Sequence, residues 1–292
     1  MKTTYQSEVG KLKSLLIKPV VHAYIDQTVI QKQWQALNYW EAPDMVMAKL
    51  EYREFETLVA DGAVDLHYLP TDDQLTMDSI YCRDASISTD QGMIICRMGK
   101  SARSLEPEAS RKLYHEIDLP VLGEIKPPGT LEGGDVAWLD TQTLAVGHSY
   151  RTNVQGIDQL SALLQPLGVE VITVPLPHYR GPDDVFHLMS IFSPVDKDLA
   201  VVYAPLMPIS FRNSLLDLGY KLLEVPAQEF DSLACNVLAL APRRCMMAAG
   251  NPVTQRALVN EGCEVMTYPG QEISVKGGGG PTCLTRPLLR YA

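Results

Sequence analysis

Nothing in this 292-residue chain reaches the roughly 18 consecutive apolar residues that a membrane helix needs. Met1 to Gly10 also lacks an apolar run of signal-peptide length, so cytoplasm is the expected compartment and no membrane partner is expected. The sequence has no Cys-x-x-Cys pair, and six cysteines over this length do not suggest a disulfide framework. No spacing of His, Cys and acid matches a zinc site. Basic residues are outnumbered, 25 Lys and Arg against 35 Asp and Glu, for a formal net charge of −10. Such a surface repels phosphate backbones, which argues against nucleic acid as the main partner. The same field attracts small cations.

What is present is an ordinary globular balance, 46% hydrophobic and 21% charged, in a chain long enough for a substantial core. Read for self-similarity, the chain repeats one unit: apolar strand, turn, helix, second strand ending at or near Pro. The copies begin at Leu15-Leu16-Ile17, Met93 to Cys96, Thr143 to Gly147, Leu199 to Val202 and Arg244 to Met247. Their helices are expected over 48–60, 106–116, 156–167, 211–218 and 253–261. The second strands are expected over 66–70, 121–127, 169–175, 222–226 and 263–269. A period of roughly 50 residues suits units arranged around an axis, each burying a face it cannot cover alone. Strand–helix alternation equally suits a doubly wound α/β sheet.

Several segments carry candidate chemistry. Gly277 to Gly280, followed by Pro281-Thr282-Cys283, would let the backbone approach a ligand or adopt positive φ. Only nine residues follow Cys283, too few for the helix of a dinucleotide loop. Cys283 is therefore a candidate nucleophile, whereas Cys82, Cys96, Cys235, Cys245 and Cys263 lie in runs that suit small buried hydrophobes. Glu132, in Gly129-Thr130-Leu131-Glu132-Gly133-Gly134-Asp135, is either part of a plain turn or a buried acid awaiting a donor. Asp78 and Asp84 flank the run Ser79 to Arg83. As a strand, that run would either cap its ends with both acids or turn both inward. His187 enters an apolar run as a core residue or a proton carrier. Gly99-Lys100-Ser101 imitates the end of a phosphate loop, but Ile94 stands where that motif needs Gly.

The order and spacing of these segments resemble the guanidino-modifying enzyme superfamily, over nearly the whole chain. The resemblance runs through Glu8 to Lys13, Asp78 to Asp84, Gly129 to Asp135, Ser149 to Asn153, His187-Leu188, Cys235-Asn236 and the stretch ending in Cys283. The dimethylarginine dimethylaminohydrolase branch is most similar. The resemblance implies a five-bladed α/β propeller and a single catalytic domain over 1–292. It implies hydrolysis of a small cationic guanidino substrate, with Cys283 as nucleophile, His187 as general acid and base, and Glu132 in the catalytic set. Asp84, Glu132 and Asp78 would bind the guanidinium, and Arg103 and Arg151 a substrate carboxylate. No metal or organic cofactor is implied. An amidinotransferase is the alternative, and a homodimer is compatible with the resemblance. Arg83 departs toward deiminases and amidinotransferases, and Met189 removes the deiminase His-x-Asp.

Overall fold

The computed structural model describes residues 4–62 and 64–291; Met1 to Thr3 of the segment read for a leader lie outside them. In chain order the main elements are β1 Lys11–Ile17, helix Met45–Ala60 and β2 Asp65–Tyr68, then β3 Ser86–Thr89, β4 Gly92–Ile95, helix Glu106–Glu116 and β5 Val121–Glu124. There follow β6 Val136–Trp138, β7 Thr143–His148, helix Val154–Leu164 and β8 Glu170–Pro175. Next come β9 Phe192–Asp196, β10 Leu199–Val202, helix Ile209–Asp217 and β11 Lys221–Glu224. The last group is β12 Leu238–Ala241, β13 Arg244–Ala248, helix Pro252–Asn260, β14 Glu264–Tyr268 and the closing strand β15 Thr285–Tyr291.

In the described residues these strands make five sheets of three, β3-β4-β5, β6-β7-β8, β9-β10-β11, β12-β13-β14 and β15-β1-β2. Each sheet has one antiparallel and one parallel pairing, and the helix bridges the parallel pair. Burial gives the radial order. The antiparallel strands β3 and β6 are wholly buried, while the parallel strands β2 and β11 are exposed at both ends. Around the centre β15 contacts β3, and β12 contacts β9.

The apolar packing decides between the ring and the doubly wound sheet. Each of five core clusters fills a seam between two neighbouring sheets. One of them joins Leu12, Leu15 and Phe55 of the first unit to Leu238, Met246 and Tyr268 of the last. An open sheet would leave those end faces bare. The fold is a five-bladed α/β propeller, closed by β15 pairing with β1 from Lys11↔Tyr291 to Ile17↔Thr285.

The five repeats fall where the sequence places them. The inner antiparallel strands were not anticipated. Residues 77–85 form two 3₁₀ turns, Met77–Ile80 and Cys82–Ala85, not a strand. His187 likewise precedes a 3₁₀ turn, Leu188–Ser190, before β9. No helix among the described residues is long and apolar enough to cross a membrane.

Candidate active site

Cys283 lies in the loop between the π-turn Gln271–Val275 and β15. It is the one cysteine of the six that is not buried. Its loop is built by close packing. A Cβ on Gly277 or Gly279 would lie 2.0 or 2.4 Å from Tyr81, and one on Gly280 would lie 2.4 Å from Oδ1 of Asn236. Gly278 alone takes positive φ, at 75°. The glycines therefore let the loop press on the protein itself. Asn236 then fixes the Cys283 turn: its Oδ1 accepts from the Thr282 amide at 3.0 Å and hydroxyl at 2.9 Å, and its Nδ2 lies 3.5 Å from Sγ of Cys283.

His187 and Cys283 line the same cavity, of about 300 Å³, together with Asp78, Asp84, Lys100, Arg103 and Arg151. That volume suits a small organic ligand. Nε2 of His187 donates to Oε2 of Glu132 at 2.8 Å. The other Glu132 oxygen accepts from the amides of Gly99 at 2.9 Å and Lys100 at 3.0 Å. Both oxygens are thus engaged, and the fully buried Glu132 faces His187 and not the cavity, in contrast to the guanidinium-binding role expected for it. Ser149 grips Asp135 at 2.6 Å, and Asp135 accepts from the Leu188 amide at 3.0 Å, which seats the turn beneath the imidazole. Gly134 cannot carry a side chain, since a Cβ there would lie 2.5 Å from Nδ1 of His187 and 2.7 Å from Oδ1 of Asp84.

The electrostatics follow from this crowding. Burial alone would lower the His187 pKa, but Asp135, Asp84 and the Glu132 hydrogen bond together raise it to about 9. The ring is therefore an imidazolium at neutral pH. Burial would raise Glu132, but its hydrogen bond to the His187 cation holds it well below the usual carboxylate range. Burial and then Asp84 push the Cys283 thiol up, against smaller opposing effects of Thr282, Arg83 and Asn236.

The remaining expected residues divide. Asp84 gives Oδ2 to Nη1 of Arg103 at 2.6 Å, while its buried Oδ1 has no hydrogen-bond partner. Arg103 also donates to both oxygens of Glu106 and to the Tyr81 carbonyl. It is thus committed to aiming Asp84, in contrast to the carboxylate-binding role expected for it. Arg151 is 4% exposed, and its Nε and Nη1 make no hydrogen bond. Asp78 is paired with Lys100 at 2.6 Å, and Lys100 also reaches the Leu37 carbonyl at 2.8 Å. Asp84, Glu132 and His187 can bring one ligand atom each within 4.8 Å of one another. Glu132 is already saturated by His187 and the Gly99 and Lys100 amides, and a positive charge on His187 opposes a second cation there.

Sequence pattern does not single out Asn236, which holds the Thr282–Cys283 turn, nor Lys100, which falls in the false phosphate loop. It also missed the cavity mouth, where Arg180 sits 5.1 Å from the Trp40 ring and 4.9 Å from the Tyr179 ring and pairs with Asp231 at 2.8 Å.

Comparison with known families returns the same picture. Residues 23–290 match the family model described as N,N dimethylarginine dimethylhydrolase, eukaryotic. The chain belongs to this family. It is 29% identical over 275 residues to the N(G),N(G)-dimethylarginine dimethylaminohydrolase of Streptomyces coelicolor, covering 94% of this chain and 92% of that one. An arginine deiminase of Staphylococcus haemolyticus is 27% identical over 72% of this chain and 61% of its own length. Among solved structures, the Pseudomonas aeruginosa dimethylarginine dimethylaminohydrolase, as a mutant complexed with citrulline, superposes with a TM-score of 0.77 at 22% identity, covering 94% and 99% of the two chains. An amidinotransferase from Microseira wollei superposes with a TM-score of 0.81 at 14% identity, covering 100% and 98%. Such identities establish the shared fold.

Proposed function

We propose that this chain, as one catalytic domain over 1–292, hydrolyses a C–N bond of an arginine-type guanidino compound, N-methylated arginine first among them. The observation that carries the reading is the pairing, in one cavity, of the accessible Cys283 with His187 and the unpartnered Oδ1 of Asp84. Membership of a dimethylarginine dimethylaminohydrolase family supports the substrate class.

A guanidinium is charged at any ordinary pH. At an effective dielectric of about 20 and about 4 Å, one carboxylate attracts it by on the order of 4 kcal/mol before desolvation. Asp84 supplies that carboxylate. The guanidinium in turn offsets the Asp84 charge that opposes ionisation of Cys283. Arg151, whose Nη1 lies 3.9 Å from Oε1 of Glu132 and whose Nε and Nη1 make no hydrogen bond, holds the substrate carboxylate.

The Cys283 thiolate adds to the guanidinium carbon, forming a C–S bond and a tetrahedral adduct. His187 gives its proton to the departing amine as the C–N bond breaks, leaving a covalent amidino-thioether. Water then adds to the same carbon with its proton passing to His187. The C–S bond breaks, restoring the thiolate and releasing a urea such as citrulline.

The test is a panel of arginine, methylated arginines and shorter guanidino acids, assayed for citrulline, ornithine, urea and released amine beside Cys283→Ser. We expect citrulline and methylamines without any added acceptor amine, and no turnover from the variant. Product formed only when an acceptor amine is present would make the chain an amidinotransferase. Turnover by Cys283→Ser would overturn both readings.

A further inference from the structure

Behind the catalytic loop, near the propeller axis, three arginines are buried together: Arg83 at 1%, Arg286 at 4% and Arg290 at 1% exposure. Arg83 comes from the turn before β3, and the other two come from β15. Their hydrogen-bond partners are few. Arg286 donates to the Arg83 carbonyl at 2.9 Å. Arg290 donates through Nη1 to the Gly10 and Ala239 carbonyls at 2.7 and 2.9 Å. Arg83 donates through Nη2 to Oε1 of Glu8 at 2.7 Å and to the Val136 carbonyl at 3.5 Å. Glu8 is the one carboxylate, among the described residues, hydrogen-bonded to any of the three.

Five guanidinium nitrogens in this group have no hydrogen-bond partner: Nε and Nη1 of Arg83, Nε of Arg286, and Nε and Nη2 of Arg290. Three buried cations therefore face one anion. Carbonyl oxygens satisfy donors but do not cancel charge, and a buried charge is strongly destabilising without a counter-charge. Burial lowers the pKa of both Arg286 and Arg290 to about 10, with repulsion from Arg83 adding to it. Those values still leave the Arg286 and Arg290 guanidiniums charged at neutral pH.

We infer that Arg83, Arg286 and Arg290 form a binding site for one small monovalent anion of the halide class, opposite Glu8. Near-complete burial favours an ion of few atoms that loses its hydration readily over a phosphate or a carboxylate metabolite. The site connects to the nucleophile. The Arg83 amide donates to the Cys283 carbonyl at 3.2 Å, and the Arg83 charge is one of the groups that favour the thiolate. An anion on Arg83 offsets that charge, so halide should make Cys283 less reactive.

The direct test is a bromide soak of crystals of the unmodified protein, read by anomalous scattering. One peak bounded by the three guanidiniums is expected, and bromide confined to the surface would overturn the proposal. In solution, chloride should raise the melting temperature saturably when titrated against gluconate at constant ionic strength. Arg290→Met should abolish that rise, while Glu8→Gln, which keeps all three cations, should preserve or strengthen it. A melting temperature indifferent to chloride in both the unmodified protein and Glu8→Gln would count against the site. Iodoacetamide modification of Cys283 should slow severalfold on saturation with chloride. An unchanged rate would refute the link to the nucleophile. None of these readouts requires turnover, so the guanidino reading and this one fail separately.

Discussion

At the residue scale, the site depends on how His187 is held. Its partner Glu132 lies 55 positions away in sequence, and Asn236, which holds the Cys283 turn, lies 47 positions from Cys283. No local pattern announces either contact, so Glu132 was legible as an odd buried acid but not as the residue that orients the imidazole. Cys283 and His187 were legible because their neighbouring residues recur in a known order. Replacing Glu132 with Gln removes a charge that favours the imidazolium, so the His187 pKa should fall from about 9 toward the ordinary histidine value near 6.5. The alkaline limb of the kcat–pH profile should then move to lower pH; an unmoved limb would show that another group supplies the proton. The same raised pKa has a stability consequence. His187 binds its proton more tightly folded than unfolded, so its contribution is complete below about 6.5 and is lost as pH rises through about 9. Gly134→Ala drives a methyl against His187 and Asp84. It should cost about 1–3 kcal/mol by overpacking and lower kcat more than it raises KM, as steady-state kinetics and melting curves would show.

Among elements, the amphipathic helices were the easiest to read. Val154–Leu164 buries Ile157, Leu160 and Leu164 at helical spacing, with Asn153 as its cap accepting from the Gly156 amide at 2.9 Å. Asn153 also accepts from the Thr130 amide at 3.0 Å, tying the helix to the segment that carries Glu132. Asn153→Ala should therefore cost about 1 kcal/mol or somewhat more, a fall in melting temperature of about 2–4 °C, and should also reduce turnover. Loss of stability with unchanged kcat would limit Asn153 to capping. The inner strands escaped notice for a physical reason. β3 and β6 have four and three residues and are buried throughout, so neither length nor alternation distinguishes them from any short apolar run. The 77–85 segment misled similarly: its acids are buried, as an inward-facing strand would have them, but 3₁₀ turns put them there.

For the whole molecule, the period of the repeat was visible in the sequence and ring closure was not, because closure rests on β15 meeting β1 between residues as far apart as Lys11 and Tyr291. Charge also acts at this scale. A net charge of −10 should draw a cationic substrate toward the cavity. Raising ionic strength from about 0.01 M to about 0.15 M shortens the screening length from about 30 Å to about 8 Å. The value of kcat/KM for a cationic substrate should fall over that range, with a smaller change for an uncharged analogue; equal changes would remove the steering field from the account. The central claim is that Cys283 becomes covalently bonded to the guanidino carbon. Rapid acid quenching during turnover of methylated arginine, followed by mass mapping of the peptide that contains residue 283, tests it most directly. The account predicts a transient adduct on Cys283 that retains the amino-acid portion of the substrate. Sustained turnover with that peptide unmodified at every quench time would contradict it.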